Sequence, residues 1–99
     1  MTEDDDRFGQ PLDVEDAKIV AALSPDQVKA IDSAIMSDVP TRWGKVAMVL
    51  GRQLRAPPGV PDDVPLEYYW QRLSRLVDLG LVEVQGDIHL ARHSEVRRR

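Results

Sequence analysis

Residues 80–92 run Gly80-Leu81-Val82-Glu83-Val84-Gln85-Gly86-Asp87-Ile88-His89-Leu90-Ala91-Arg92, and the spacing of their apolar side chains separates one architecture from another. Val82, Val84, Ile88 and Leu90 fall on alternate positions, the period of a β-strand and not of a helix. The alternation predicts a hairpin over residues 81–92. Two registers compete. With Gln85-Gly86-Asp87 as a three-residue turn, Val84 faces Ile88 and Val82 faces Leu90, so four apolar side chains share one face and Glu83 with His89 the other. A two-residue Gly86-Asp87 turn pairs Val84 with His89 and splits the aliphatic side chains between faces. Burial favours the first register. A lone two-stranded ribbon is marginal in water, so the upstream chain must supply a surface for it.

That surface is helical. Pro65 opens a helix with Leu66, Tyr69, Trp70, Leu73, Leu76 and Val77 inward, and Gly80 terminates it in the left-handed conformation. Before it, residues 56–64 are proline-rich, cannot be helix, and are expected to form an ordered or semi-rigid loop. Thr41 is placed to cap a second helix, in which Trp43, Val46, Ala47, Leu50 and Leu54 recur at helical spacing. Gly44 and Gly51 weaken that helix by about 1 kcal/mol each relative to alanine, which points to close backbone approach there. Upstream of the break at Asp38-Val39-Pro40, Ser24-Pro25-Asp26-Gln27 reads as a capping box with proline in the first turn. It starts a helix over residues 25–36 with Val28, Ile31, Ala34 and Ile35 on one face. Residues 12–23 carry a weaker helical pattern, capped by Asp13 and striped by Val14, Ala17, Val20 and Ala21, with an extended segment as the alternative. The fold class is therefore α+β. Three strong helices followed by a C-terminal β-hairpin is the order of a small winged-helix-like domain.

The chain has 99 residues, no cysteine, thirteen Lys plus Arg, seventeen Asp plus Glu, and a net charge of −4. One domain is expected over residues 12–97, with residues 1–11 a disordered acidic leader and residues 98–99 a frayed terminus. A chain of this size hides roughly two thirds of its unfolded surface, which disfavours a deep catalytic cleft. Without cysteine there is no disulfide, thiolate nucleophile or cysteine zinc site. The aliphatic runs at residues 19–23 and 46–50 fall far short of the roughly 20 residues that span a bilayer, so no membrane association is expected. The start, Met1-Thr2-Glu3-Asp4-Asp5-Asp6, is acidic where a secretory signal is basic and then apolar, which makes a cytoplasmic location the expectation. Charge is uneven: residues 1–41 hold ten acids and three bases, residues 42–99 seven acids and ten bases.

Several residues in these elements carry a family pattern: Trp43, Lys45-Val46-Ala47 and Gly51; Tyr69, Gln71-Arg72, Leu76-Val77 and Gly80; and Glu83, Gln85-Gly86-Asp87, Arg92 and Ser94-Glu95-Val96-Arg97. In these positions, spanning about residues 24–97, the chain resembles a family of bacterial domains of unknown function, number 3658 in the domain-family series. The resemblance implies a shared fold and no particular activity. Family members often follow another uncharacterised domain in one polypeptide, so the companion is expected here on a separate chain, or the domain acts alone.

Candidate chemistry is sparse. His89 and His93 lie about 13 Å apart along a strand and lack a third ligand, so no metal site is expected. No catalytic triad, carboxylate pair or glycine-rich phosphate loop emerges, and neither catalytic residues nor cofactors are assigned. The notable feature is the polar set Tyr69, Arg72, Glu83, Gln85, Asp87, Arg92, Ser94, Glu95 and Arg97, dense in charge-assisted hydrogen-bond formers. Structurally, Arg72 or Arg92 is expected to pair with Glu95 or Glu83 across the third helix; functionally, the set offers a surface for a protein or a small anionic ligand. A cavity bordered by Tyr69, Arg72 and Glu95 is what a ligand sensor or an enzyme requires. The rival is a nucleic-acid reader using the third helix and hairpin, with Tyr68, Gln71, Arg72 and Arg75 outward. Glu67 and Asp78 flank those residues and repel phosphate, and the hairpin tip offers Asp87 without Lys or Arg. Trp43 and Trp70 are expected in the core. The expectation is a non-enzymatic interaction or regulatory module for a protein partner. An exposed hairpin edge leaves its oligomeric state open.

Overall fold

Short-range chemistry fixes the first helices in the computed structural model, which describes residues 7–99. Asp13 accepts the Asp16 N–H and starts α1 (Val14–Ala21), and Ser24 with Gln27 closes the expected capping box on α2 (Pro25–Asp38). Val14 is solvent-exposed, and α1 packs on the core through Ile19 and Val20, with Leu23 just beyond its end. Ile31 and Ile35 of α2 are fully buried. The chain continues as β1 (Gly44–Lys45), α3 (Val46–Gly51), a 3-10 turn (Arg52–Leu54), α4 (Leu66–Asp78), β2 (Val82–Gln85), a second 3-10 turn (Ala91–His93) and β3 (Glu95–Arg98). The three strands form one antiparallel sheet in the order β1-β3-β2, so the fold is α+β. No described helix is long and apolar enough to cross a membrane.

The helix expected from Thr41 is shorter and later. Gly44 and Lys45 are a strand because the Val46 N–H donates to the Ser94 carbonyl at 3.0 Å, tying this segment to β3. A Cβ on Gly44 would lie 2.7 Å from Pro40 Cγ, so the expected close approach is met there, whereas a Cβ on Gly51 would meet open space. Leu54, assigned to the buried stripe, is 77% exposed beyond the end of α3. Trp43 precedes the strand and is half-buried, not core.

The hairpin is also different. β2 pairs with β3, placing Val84 opposite Val96 and Val82 opposite Arg98; Ile88 and Leu90 are not its partners. Asp87 turns the chain first: its carboxylate accepts the His89 N–H, its carbonyl accepts the Leu90 N–H at 2.9 Å, and Leu90 then accepts from His93. Trp70 donates its indole N–H to the Ile88 carbonyl at 2.9 Å, which holds this connection against α4. Ile88 packs beside the core from a loop, and Val96, completely buried, takes the strand position.

α4 buries Tyr68 as well as Tyr69, Trp70, Leu73 and Leu76, a wider stripe than the periodicity alone marks. Gly80 has a φ of +81° and ends it as expected. At the N-terminus, Phe8 donates to the His89 carbonyl and stacks on Trp70, and Gly9 donates to Glu67. Residues 7–9 thus lie against the domain, in contrast to the expected solvated leader; residues 1–6 of that leader lie outside the described residues. At the other end Arg98, expected to fray, belongs to β3 and donates its backbone N–H to the Pro40 carbonyl and its side chain to the Val39 carbonyl.

Candidate functional site

Alternation along β3 sends Val96 inward and Glu95 and Arg97 to the opposite face of the sheet. Because Glu83 is opposite Arg97 and Gln85 opposite Glu95, these four side chains share that outer face. Lys45 of β1 is opposite Glu95, and Trp43 continues the same strand line beside Arg97. Two rows cross the three strand lines: Trp43, Arg97, Glu83, and Lys45, Glu95, Gln85.

The first row is joined throughout. Arg97 donates its Nε to Glu83 at 2.6 Å, and its guanidinium lies 4.5 Å from the centroid of the Trp43 ring, a cation–π contact. Arg99 reaches the other Glu83 oxygen at 3.6 Å. The hydrogen bond from Arg97 holds the Glu83 carboxyl below the usual carboxylate range, with the charges of Arg97 and Arg99 acting in the same direction. In the second row, Gln85 donates its amide to Glu95 at 2.6 Å. A shallow cleft of ≈ 340 Å³ opens beside this face, lined by Trp43, Val77, Val82, Glu83, Val84, Arg97 and Arg99.

The remaining members of the sequence-derived polar set are elsewhere. Arg72 does not meet Glu83 or Glu95: its Nε and Nη2 each donate to Asp32 of α2 at 2.8 Å, a bidentate pair that raises the guanidinium pKa further. Tyr69 is 2% exposed, its hydroxyl has no hydrogen-bond partner among the described residues, and burial with the nearby Asp62 charge pushes its pKa up. Ser94 is buried and donates to the Leu90 carbonyl. Asp87 faces the His89 ring at 2.9 Å, and that contact holds its carboxyl low. His89 in turn lies against Trp70, in a loop and not on the strand expected for it. Arg92 is exposed and lines a separate apolar pocket of ≈ 180 Å³ with Phe8, Leu50, Gly51, Leu66 and others. Neither described pocket is bordered by Tyr69, Arg72 or Glu95.

The nucleic-acid set loses two of its four members, since Tyr68 is only 8% exposed and Arg72 is engaged by Asp32. Gln71 and Arg75 stay at the surface of α4. Sequence reasoning missed Asp32, Lys45 and Arg99 as partners in these arrangements, and it placed Trp43 in the core. The available signal was Val96, a lone β-branched residue between charged neighbours, which marks a strand with one buried face.

No protein-family model matches the chain, and no curated protein or solved structure matches it either. What the molecule does must be argued from this geometry.

Proposed function

We propose that the chain is a winged-helix-like, non-enzymatic interaction module of the cytoplasm that binds a protein partner through the outer face of its sheet. The order α2, β1, α3, α4, β2, long connection, β3, with β3 between the other strands, supports the winged-helix reading. Membership of the 3658 family is part of the proposal. All six side chains of the two outer rows belong to the set that carries that resemblance, which makes the face a common feature of the pattern. The partner is then the companion domain on another chain.

The observation that carries the proposal is the Trp43–Arg97–Glu83 row on a surface of the fold. Tryptophan and arginine dominate the energetics of protein interfaces, because both combine a broad apolar face with directional donors. The nucleic-acid alternative draws support from Gln71 and Arg75 on α4, and is weakened by the Asp32 clamp on Arg72. A photo-crosslinking side chain introduced at Lys45 in the native cell tests the choice, with the same group at Arg75 as control. Protein adducts from position 45 alone are expected. Nucleic-acid adducts from position 75, with salt-sensitive duplex binding, would replace this reading by its rival.

A further inference from the structure

We propose that residues 1–6 continue the N-terminal strap across the mouth of the ≈ 180 Å³ apolar pocket and set their carboxylates on Arg92, so that the chain covers this pocket itself. The inference is independent of the sheet face, since the two pockets share no lining residue. Arg7, where the described residues begin, forms an antiparallel bridge with Leu90, and the Phe8 N–H donates to the His89 carbonyl at 2.8 Å. These two pairings fix a direction. Each step from Arg7 toward the N-terminus carries the strap from Leu90 toward Ala91, Arg92 and His93. The 3-10 turn over those three residues rises only about 2 Å per residue against about 3.3 Å in an extended segment, so no ladder follows. An extended continuation instead brings Asp6 and Asp5 within side-chain reach of Arg92.

Anchoring and charge select this occupant. Phe8 supplies one wall of the pocket, opposite a lining that includes Leu50, Leu66 and Ala91, and its ring stacks on Trp70. The Gly9 N–H is held by Glu67 at 2.7 Å, so the strap enters the pocket rim from a fixed point. Residues 1–6 read Met-Thr-Glu-Asp-Asp-Asp, with four carboxylates in succession from Glu3 to Asp6. The acids beside the anchored part of the strap are already compensated: Glu67 accepts from Gly9, and Asp87 faces the His89 ring with the charge of Arg7 acting on it as well. Arg92, exposed at the rim, is the cation on the path ahead. Six residues tethered at Arg7 also present their carboxylates at a local concentration that a separate acidic peptide has to exceed. The chain's own leader is the favoured occupant.

Because the chain has no cysteine, Thr2→Cys carries a single nitroxide in the isotope-labelled full chain. Residues 87–88 and 92–93 lie on opposite sides of Leu90, so a leader sampling both directions alike broadens their amide resonances equally. Broadening several-fold stronger at Arg92 and His93 is the expected result. That excess should vanish at about 1 M salt, where the Debye length is only about 3 Å. Arg92→Glu should remove it too, and combining Arg92→Glu with Asp4→Lys, Asp5→Lys and Asp6→Lys should bring it back. If Arg92→Glu disturbs the 3-10 turn, Asp4→Asn, Asp5→Asn and Asp6→Asn still decide, because they alter no described contact. Equal broadening on the two sides of Leu90, or an excess that neither salt nor these variants change, overturns the inference. So does an excess that appears only between spin-labelled and isotope-labelled chains in a mixture, which would seat the leader on a second copy.

Discussion

Two arginine–carboxylate pairs, one between helices and one between strands, differ in how much of each is left at the surface. Arg72 and Asp32 join α4 to α2 through two parallel contacts of 2.8 Å, with about a quarter of each side chain exposed (26% and 25%). Arg97 and Glu83 join β3 to β2 through one contact of 2.6 Å, are 42% and 31% exposed, and share their surface with Trp43. The first pair is taken up by the fold: the Nε and Nη2 donors of Arg72 are both turned onto Asp32. The second holds a surface in shape while leaving aromatic and cationic faces at its rim. An arginine's chemical type therefore says little about its role until its donors are accounted for.

The sheet pair depends on backbone geometry that the helix pair does not need, and the sharpest way to break the comparison acts there. Gly86 has a φ of +83°, and a Cβ on it would sit 2.7 Å from the His93 carbonyl oxygen. Gly86→Ala should cost about 2–3 kcal/mol in urea unfolding, from left-handed strain plus a clash with backbone that cannot rotate away. It should separate Glu83 from Arg97 and leave the α2–α4 junction intact. Next comes Arg72→Ala, expected to cost about 2 kcal/mol, because it strands a partly buried carboxylate. Asp32→Ala should cost a similar amount, and the double variant clearly less than the sum, since both remove one interaction. Additive costs would mean that the bidentate contact is not populated in solution.

The helix pair and the sheet pair also differ in how far the sequence reveals them. Ser24, Pro25 and Gln27 announce α2 within four positions, and the stripe from Leu66 to Leu76 announces α4, because capping and periodicity are local. Even the existence of β2 is legible in Val82 and Val84. Its partner is not. Ile88 and Leu90 alternate as a strand would, but the Asp87 carboxylate and the Trp70 indole claim the neighbouring backbone, and β-pairing passes to residues 95–98 across a longer loop. The same non-local step hides the outer face of the sheet: Trp43 sits at helical spacing from Val46 and Leu50, and only the bond from Val46 to Ser94 turns it onto the sheet. Asp32 is unmarked in the sequence, forty residues from the arginine it holds.

Arg97→Ala sharpens the comparison from the other side. Exposed ion pairs contribute little, so the unfolding midpoint should stay within the scatter of surface substitutions. Trp43 fluorescence should nonetheless shift as its ring is uncovered, and crosslinking from Lys45 should drop. A stability loss as large as that of Arg72→Ala would mean that the outer row is a structural fastener and not a recognition surface.

The smallest effect is a pH signature. The Arg97 hydrogen bond, then the Arg97 and Arg99 charges, hold the folded Glu83 carboxyl below its unfolded value, so on acidification the unfolded chain takes up the proton first. The stabilisation from this pair is fully present above the unfolded value and is lost as pH falls through the folded one. Asp87 contributes an acid loss of the same sign, through the His89 ring and backbone N–H. Glu83→Gln should therefore make the fall of stability in acid shallower, and adding Asp87→Asn should make it shallower again. A carboxyl NMR titration of the folded chain checks the origin: Glu83 should titrate below an ordinary glutamate, and Arg97→Ala should move it back up. If Glu83 titrates normally in the unaltered chain, the ion pair on the sheet is not formed in solution, and the contrast with the Arg72–Asp32 clamp becomes one between a real contact and an open face.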